Sequence, residues 1–295
     1  MTDTRAPQAA SRRDRLTSSL QHLLPQHTLS RLIHRLARVR WRPLRLFIIR
    51  TFIRAFGVDM SEALDSRADA YGHFNAFFTR RLKPSARPLA AGTGVICSPA
   101  DGRISALGDI RDGQLLQAKG RRYTVSELLG HDPAAATFAD GSFCTIYLSP
   151  RDYHRVHMPV DGTLTRMIHV PGRLFSVSPA TTRAMPRLFA RNERVACLFD
   201  GQPSAALVMV GAMLVGSIET VWAGEVTPPA GRRIQTWNYE NGSTRLPRGG
   251  EMGRFNMGST VILLFPAPGV AWDAGLYPDT PVRMGQGLGL VNGEK

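Results

Sequence analysis

The sequence predicts an α+β protein, with N-terminal amphipathic helices followed by a β-rich, sandwich- or barrel-like core. Three observations predict it. Apolar residues recur at helical spacing from Leu29 to Phe56, short β-type runs set off by Gly, Pro and Asp take over after Pro84, and much of the positive charge precedes that change.

Residues 1–28, rich in Ser, Gln, Arg and Pro, read as a flexible leader. Leu29, Leu32, Ile33, Leu36 and Val39, then Leu44, Phe47, Ile48, Phe52 and Phe56, mark two amphipathic helices broken near Pro43. A third helical segment is expected from Ser61 to about Leu82, carrying Phe74, Phe77 and Phe78. Residues 29–83 are therefore read as a helical, membrane-associating region. Strands are expected at Val95–Cys97, Arg103–Leu107, Phe143–Leu148, Gly162–Val170, Val195–Phe199, Ala205–Val215 and Thr260–Phe265, making 84–295 the β-rich catalytic domain. The pattern Pro-x-Asp-Gly occurs at 99–102 and 159–162, which suggests two tight turns and a duplicated β element.

The 295 residues carry a formal charge of +14, and residues 1–55 hold twelve Arg against only Asp3 and Asp14. Such an arm suits an anionic surface, nucleic acid or phospholipid headgroups. No reading motif or interleaved aromatics accompany the Arg, so no nucleic acid is expected. The helices could lie in a membrane interface, pack on the protein's own core, or form an organellar presequence. With 43% apolar and 20% charged residues, the chain is neither a disordered polymer nor a polytopic membrane protein. Its longest nearly unbroken apolar run, Ala205–Val215, falls short of the roughly 20 residues a spanning helix needs. Cys97, Cys144 and Cys197 lie in apolar stretches and read as buried thiols.

Three segments carry candidate chemistry. In YLSPRDYHRVHMPVDG (147–162), His154 and His157 share one side on a helical turn and take opposite faces on a strand. No third ligand is near them, so no metal is expected. In SPADG (98–102), Asp101 follows a strand, though Asp161 has the same local pattern and spacing does not separate them. In GRFNMGSTVILLFP (253–266), Ser259 opens a strand after Gly258, whereas the other Gly-Ser-Thr, at 242–244, follows Asn241 in a turn signal. If a base removes the Ser259 proton, its oxygen can attack the Gly258 carbonyl. Amide becomes ester, elimination expels the Gly258 carboxylate, and the dehydroalanine left hydrolyses with loss of ammonia to a pyruvoyl group.

In order, SPADG, YLSPRDYHRVHMPVDG, VGAMLVGSIETVWAG (210–224) and FNMGST resemble phosphatidylserine decarboxylase, from about FFTRRLKPSARPL (77–89) to the C-terminus. Met257 stands where members often have Leu. The resemblance implies a self-processing, pyruvoyl-dependent carboxy-lyase that converts phosphatidylserine to phosphatidylethanolamine and CO₂ through a Schiff base. It also implies cleavage at 258/259 into a long β chain and a short α chain that stay associated. Residue by residue, Asp101, His157 and Ser259 resemble the processing triad, with Ser259 the nucleophile, His157 its base and Asp101 fixing the imidazole. His154 resembles the residue used in decarboxylation. The cofactor is the pyruvoyl group derived from Ser259. Expected partners are phosphatidylserine and an anionic membrane surface, with a homodimer left open. The expected location is peripheral, on the cytoplasmic face of a bacterial cell membrane. The chain has only three Lys, in keeping with a decarboxylase that needs no internal Lys aldimine.

Two other classes compete. A Ser-His-Asp hydrolase would leave Ser259 uncleaved, but the Gly-x-Ser-x-Gly elbow is absent. A catalytically inactive membrane-binding protein would leave both histidines structural. Loss of processing on replacing His157 separates this last case from the decarboxylase.

Overall fold

The computed structural model describes residues 10–118, 121–213, 217–227, 233–240, 242–257 and 259–292, with the side chains of Leu23 and Ser259 outside that description. The arm contains helices α1 (Arg12–Leu20), α2 (Gln26–Leu36), α3 (Arg42–Phe56) and α4 (Phe74–Phe78). Pro43 sits in the first turn of α3, where its missing N–H costs nothing, and Gly57 closes that helix at φ 62°. The break near Pro43 is thus as expected.

Two expectations about the arm need correction. Residues 10–28 do not form a bare leader, because α1 opens with a Ser11–Asp14 capping box and its end is clipped to the body. The buried Gln21 accepts from the Ser176 N–H at 2.8 Å and donates to Thr181 at 3.3 Å, while Gln26 accepts from the Leu174 N–H at 2.9 Å. Residues 1–9 of the leader lie outside the described residues. The third helix shrinks to a 3₁₀ turn at Ala68–Ala70 and the short α4. Its sequence competes with a helix: Asp59 caps the Ser61 N–H at 2.8 Å, and Tyr71 donates to the Asp65 carbonyl at 2.6 Å. The segment closes on itself instead, Leu64 N–H reaching the Arg81 carbonyl at 2.8 Å.

The strands are β1 (Val95–Cys97), β2 (Gly102–Asp109), β3 (Gln114–Ala118), β4 (Arg121–Thr124), β5 (Ser142–Leu148), β6 (Arg155–His157), β7 (Gly162–Val170), β8 (Arg194–Asp200) and β9 (Ala205–Val210). They continue as β10 (Ile218–Thr220), β11 (Gly224–Glu225), β12 (Gln235–Asn238), β13 (Arg245–Leu246), β14 (Glu251–Phe255), β15 (Ser259–Phe265), β16 (Val270–Trp272), β17 (Pro281–Val282) and β18 (Gly287–Val291). One antiparallel sheet runs β12-β7-β8-β9-β15-β5-β2-β17, with β13 beside β7. Smaller sheets, β11-β10-β14-β6 and β1-β18-β16, cover one face of it, joined through a shared core.

Both faces of the large sheet are covered, which is why its central strands read as unbroken apolar runs. Along β15, Val261, Leu263 and Phe265 enter the core shared with the small sheets. Ile262 and Leu264 enter a second core beneath residues 123–138 and 175–189. A third cluster is the arm's own: Ile49, Phe74, Phe77 and Phe78, with Phe52 and Met257 packed against it.

The Pro-x-Asp-Gly echo is structural. β2 starts at Gly102 and β7 at Gly162, and Cys97 N–H donates to the Pro159 carbonyl at 3.0 Å while His157 N–H donates to the Pro99 carbonyl at 2.8 Å. Each turn is thus gripped by the residue two before the other. Gly102 is required by close approach, since a Cβ there would lie 2.4 Å from the Tyr147 carbonyl oxygen.

Candidate active site

Backbone hydrogen bonds and register draw the three motifs to one place. His157 N–H holds the SPADG turn through Pro99, and Phe255 N–H donates to the His154 carbonyl at 3.0 Å. On β5, Tyr147 lies opposite Arg103 of β2 on one side and Thr260 of β15 on the other, and Leu148 lies opposite Ser259. Asp101, just before β2, and the backbone of Ser259 therefore flank the same end of β5, from which the 149–154 loop leads to the histidines. Gly258 and the Ser259 side chain lie outside the described residues.

His157, at the end of β6, has both ring nitrogens engaged. Nδ1 is 2.9 Å from the Gly249 carbonyl, which only accepts, so Nδ1 carries the proton. In the neutral ring Nε2 then accepts from the Tyr153 hydroxyl at 3.0 Å. Burial pushes the imidazole pKa below its ordinary 6.5, against the Gly249 carbonyl and the Glu251 carboxylate, which raise it. Burial also raises the Tyr153 pKa, so that side chain remains a phenol and a donor.

His154, just before β6, is wholly enclosed. Its Nδ1–H donates to the Asp152 carbonyl at 2.8 Å and its ring lies 4.1 Å from that of Phe78 on α4. Burial pulls its pKa to about 3, so it rests neutral. Among the described residues its buried Nε2 has no partner, and a protein interior seldom leaves such an acceptor open.

Asp101 does not touch His157. Its carboxylate is forked by Arg87, with Nε at 2.8 Å, and accepts the Met284 N–H at 2.8 Å. Arg87 also reaches Glu62 of the arm at 2.8 Å. The imidazole is oriented instead by Gly249 and Tyr153, and the Asp101 charge acts on it only through space, raising its pKa. Sequence reasoning gave no role to Tyr153, Arg87 or Gly249. Tyr153 lies inside a motif already quoted, but nothing in spacing ties Arg87 to Asp101.

The segment ahead of Gly258 is also held from the arm side. Asn256 donates to Ser217 and Glu225, and accepts from Asn75 of α4 at 2.9 Å. Glu225 is in turn bound by Arg38, from the turn after α2. Met257, next to Gly258, sits at φ 112°, a conformation that strains a residue with a Cβ. Among other arginines, Arg155 is committed to Glu251 at 2.6 Å and Arg173 lies by the 191–193 segment, while Arg151 lines a cleft of about 310 Å³ beside Tyr153 and Asp101.

Comparison with known proteins bears on this arrangement. A family model described as phosphatidylserine decarboxylase matches residues 74–290, and one described as PSD matches residues 16–57. The phosphatidylserine decarboxylase proenzyme of Azotobacter vinelandii is 56% identical over 285 residues, covering 95% of this chain and 99% of that one. That of Alkalilimnicola ehrlichii is 59% identical over 262 residues, covering 87% and 91%. That of Pseudomonas fluorescens is 55% identical over 275 residues, covering 92% and 95%.

Proposed function

The chain belongs to the phosphatidylserine decarboxylase family, and on that footing we propose that it removes CO₂ from phosphatidylserine by means of a pyruvoyl group made from its own Ser259. The observation that carries this reading is the poise of His157: a neutral imidazole with its proton fixed on Nδ1 and its basic Nε2 on a hydroxyl, in a residue whose own N–H grips the SPADG turn that leads into β2 beside β5, the strand that Ser259 pairs with. A serine hydroxyl that displaces Tyr153, or passes its proton through it, reaches the same base.

His157 takes the Ser259 hydroxyl proton, and the oxygen attacks the Gly258 carbonyl carbon. The C–N bond breaks, leaving an ester and a free α-amino group on Ser259. Removal of the Ser259 α-proton expels the Gly258 carboxylate, and water then replaces ammonia to give the keto group. The strained Met257 stores on the order of 1–3 kcal/mol beside the bond to be cut. Asp101, held by Arg87, keeps negative charge close to the imidazole that must become a cation.

The Nε2 of His154, without a partner among the described residues, supports the fit of the cofactor, because a proton-bearing group arriving there satisfies this buried acceptor. The pyruvoyl group supplies an electron sink for the charge left on the α-carbon when CO₂ departs. His154 would accept a hydrogen bond on Nε2 from the headgroup ammonium and relay that proton to the carbon as negative charge grows there. Phe78 and the arm's aromatic cluster keep water from the ring.

β15 lies between β9 and β5, so the short chain 259–295 stays in the sheet after a cut at 258/259. The arm is proposed to rest on the membrane. Leu32, Trp41 and Phe47 are more than half exposed among its arginines, and no helix of the described residues is long and apolar enough to cross a bilayer. Intact mass tests the central claim. Wild-type protein is expected as two chains, the shorter blocked at its N-terminus, and Ser259→Ala as one. Active material consisting only of full-length chain would overturn it.

A further inference from the structure

Among the described residues, one buried cation near the site has no counter-ion. Arg80, just after α4, is 5% exposed, its Nη2 donates to the Arg151 carbonyl at 3.2 Å, and its Nε finds no partner among those residues. Its guanidinium lies 5.6 Å from the Phe77 ring centre. Other buried arginines are committed: Arg87 to Asp101 and Glu62, Arg155 to Glu251 and the Thr79 carbonyl, and Arg194 to four carbonyls.

Arg80 lines the cleft of about 310 Å³, together with Ser149 and Tyr153. Ser149 follows Leu148, the strand partner of Ser259, and Tyr153 holds His157, so the cleft adjoins the proposed reaction centre. Five arginines and four carboxylates line it. The carboxylates are all engaged: Asp101 by Arg87, Glu62 by Arg87 and Arg283, Asp152 by Ser149, and Asp59 by the Ser61 N–H. Arg103 donates to the Asp279 carbonyl and Arg151 is exposed beside Asp152, which leaves Arg80 as the buried guanidinium of the cleft with no carboxylate partner among the described residues, a match for an oxyanion.

We propose that Arg80 is the anchor for the phosphodiester of the phospholipid headgroup, with the serine carboxylate turned away from it. This rests on the decarboxylase reading. The headgroup brings two anions, and the reaction separates them. The carboxylate loses its charge as CO₂ leaves, so a buried cation on it would stabilise the ground state more than the transition state. The phosphodiester keeps its charge throughout, and a cation there binds substrate and transition state alike. Arg80 therefore governs KM and leaves kcat nearly untouched.

The test uses the processed enzyme with soluble short-chain phosphatidylserine. Arg80→Gln is expected to raise KM roughly 10- to 100-fold, the range for a hydrogen bond to a charged group, with kcat within about threefold. Its self-cleavage should match wild type, which reports separately that the fold and junction are intact. On an O-alkyl serine lacking phosphate, Arg80→Gln and wild type should be equally slow. Glycerophosphoethanolamine should compete with substrate more strongly than inorganic phosphate in wild type, and neither should in the variant.

A loss that persists on the phosphate-free compound, a fall in kcat at constant KM, or stronger competition by inorganic phosphate would each overturn the proposal. Should the glutamine variant remain uncleaved, Arg80→Lys, which keeps the charge but not the fork, carries the same comparison. A wild-type enzyme that does not decarboxylate phosphatidylserine at all would instead sink the underlying reading.

Discussion

Along β15, Val261, Ile262, Leu263 and Leu264 alternate between two cores and are all 0% exposed, whereas in α3 Ile49 is 0% exposed and Phe47, two residues earlier, is 67% exposed. The body hides both faces of its main sheet. The arm hides one face of its helices, against its own aromatic cluster and Met257, and leaves Leu32, Trp41, Phe47 and Phe56 outside. Apolar surface in the body goes to stability. In the arm much of it stays outside, while the inner face reaches Asn256 and His154 through Asn75 and Phe78. The packing reading of the arm holds for the inner side of these helices, and the outer side is the one proposed to meet a membrane.

Several changes would sharpen or break that contrast. The largest effect is expected in the body at His157: His157→Ala should leave a single full-length chain on denaturing gels, and appreciable cleavage there would break the assignment of the base. His154→Ala should still cleave yet lose roughly 10²–10⁴-fold in decarboxylation rate, measured as CO₂ release. Uncleaved His154→Ala would erase the division of labour between the two rings.

Leu263→Ala in the body should cost about 2–5 kcal/mol by urea unfolding. Phe47→Ser in the arm should change stability by no more than about 0.5 kcal/mol. The same arm substitution should weaken sedimentation with anionic vesicles roughly tenfold or more, from about 1.5–3 kcal/mol of lost burial, and leave turnover of soluble substrate unchanged. Equal vesicle binding by the variant would remove the membrane role of that face.

The last effect is in pH dependence. His154 has a folded pKa of about 3 against 6.5 unfolded. Above pH 6.5 neither state binds the proton and full stability is present. Below it the unfolded chain binds a proton that the fold refuses, and stability falls by about 1.4 kcal/mol per pH unit toward pH 3. His154→Phe should flatten that slope in unfolding series at pH 7, 6 and 5.

The strands were legible because burial on both faces writes itself as continuous Val, Leu and Ile. Ser259–Phe265 and Gly162–Val170 lie within one residue of where the runs predict them. The segment 61–82 was not, because its Asp and Tyr side chains satisfy backbone groups in turns that a periodicity of apolar residues does not register. Within the site, His154, His157 and Asp101 were visible as residues, but the partner of Asp101 was not. Arg87 is fourteen residues away from it, in a chain with 34 Arg, and the tautomer of His157 is set by a carbonyl ninety-two residues off, at Gly249. Register and long-range carbonyls, which local pattern does not encode, decide the roles.

The placement of β15 between β9 and β5 has a consequence for the life of the molecule. If the chain is cut at the first residue of β15 as proposed, the short peptide is an inner plank of the sheet, tied on both edges, and cannot be lost or exchanged without dismantling the domain. An electrophile carried on such a plank would be neither borrowed nor replenished. Each copy would then mature once, and its working lifetime would end with its folded one.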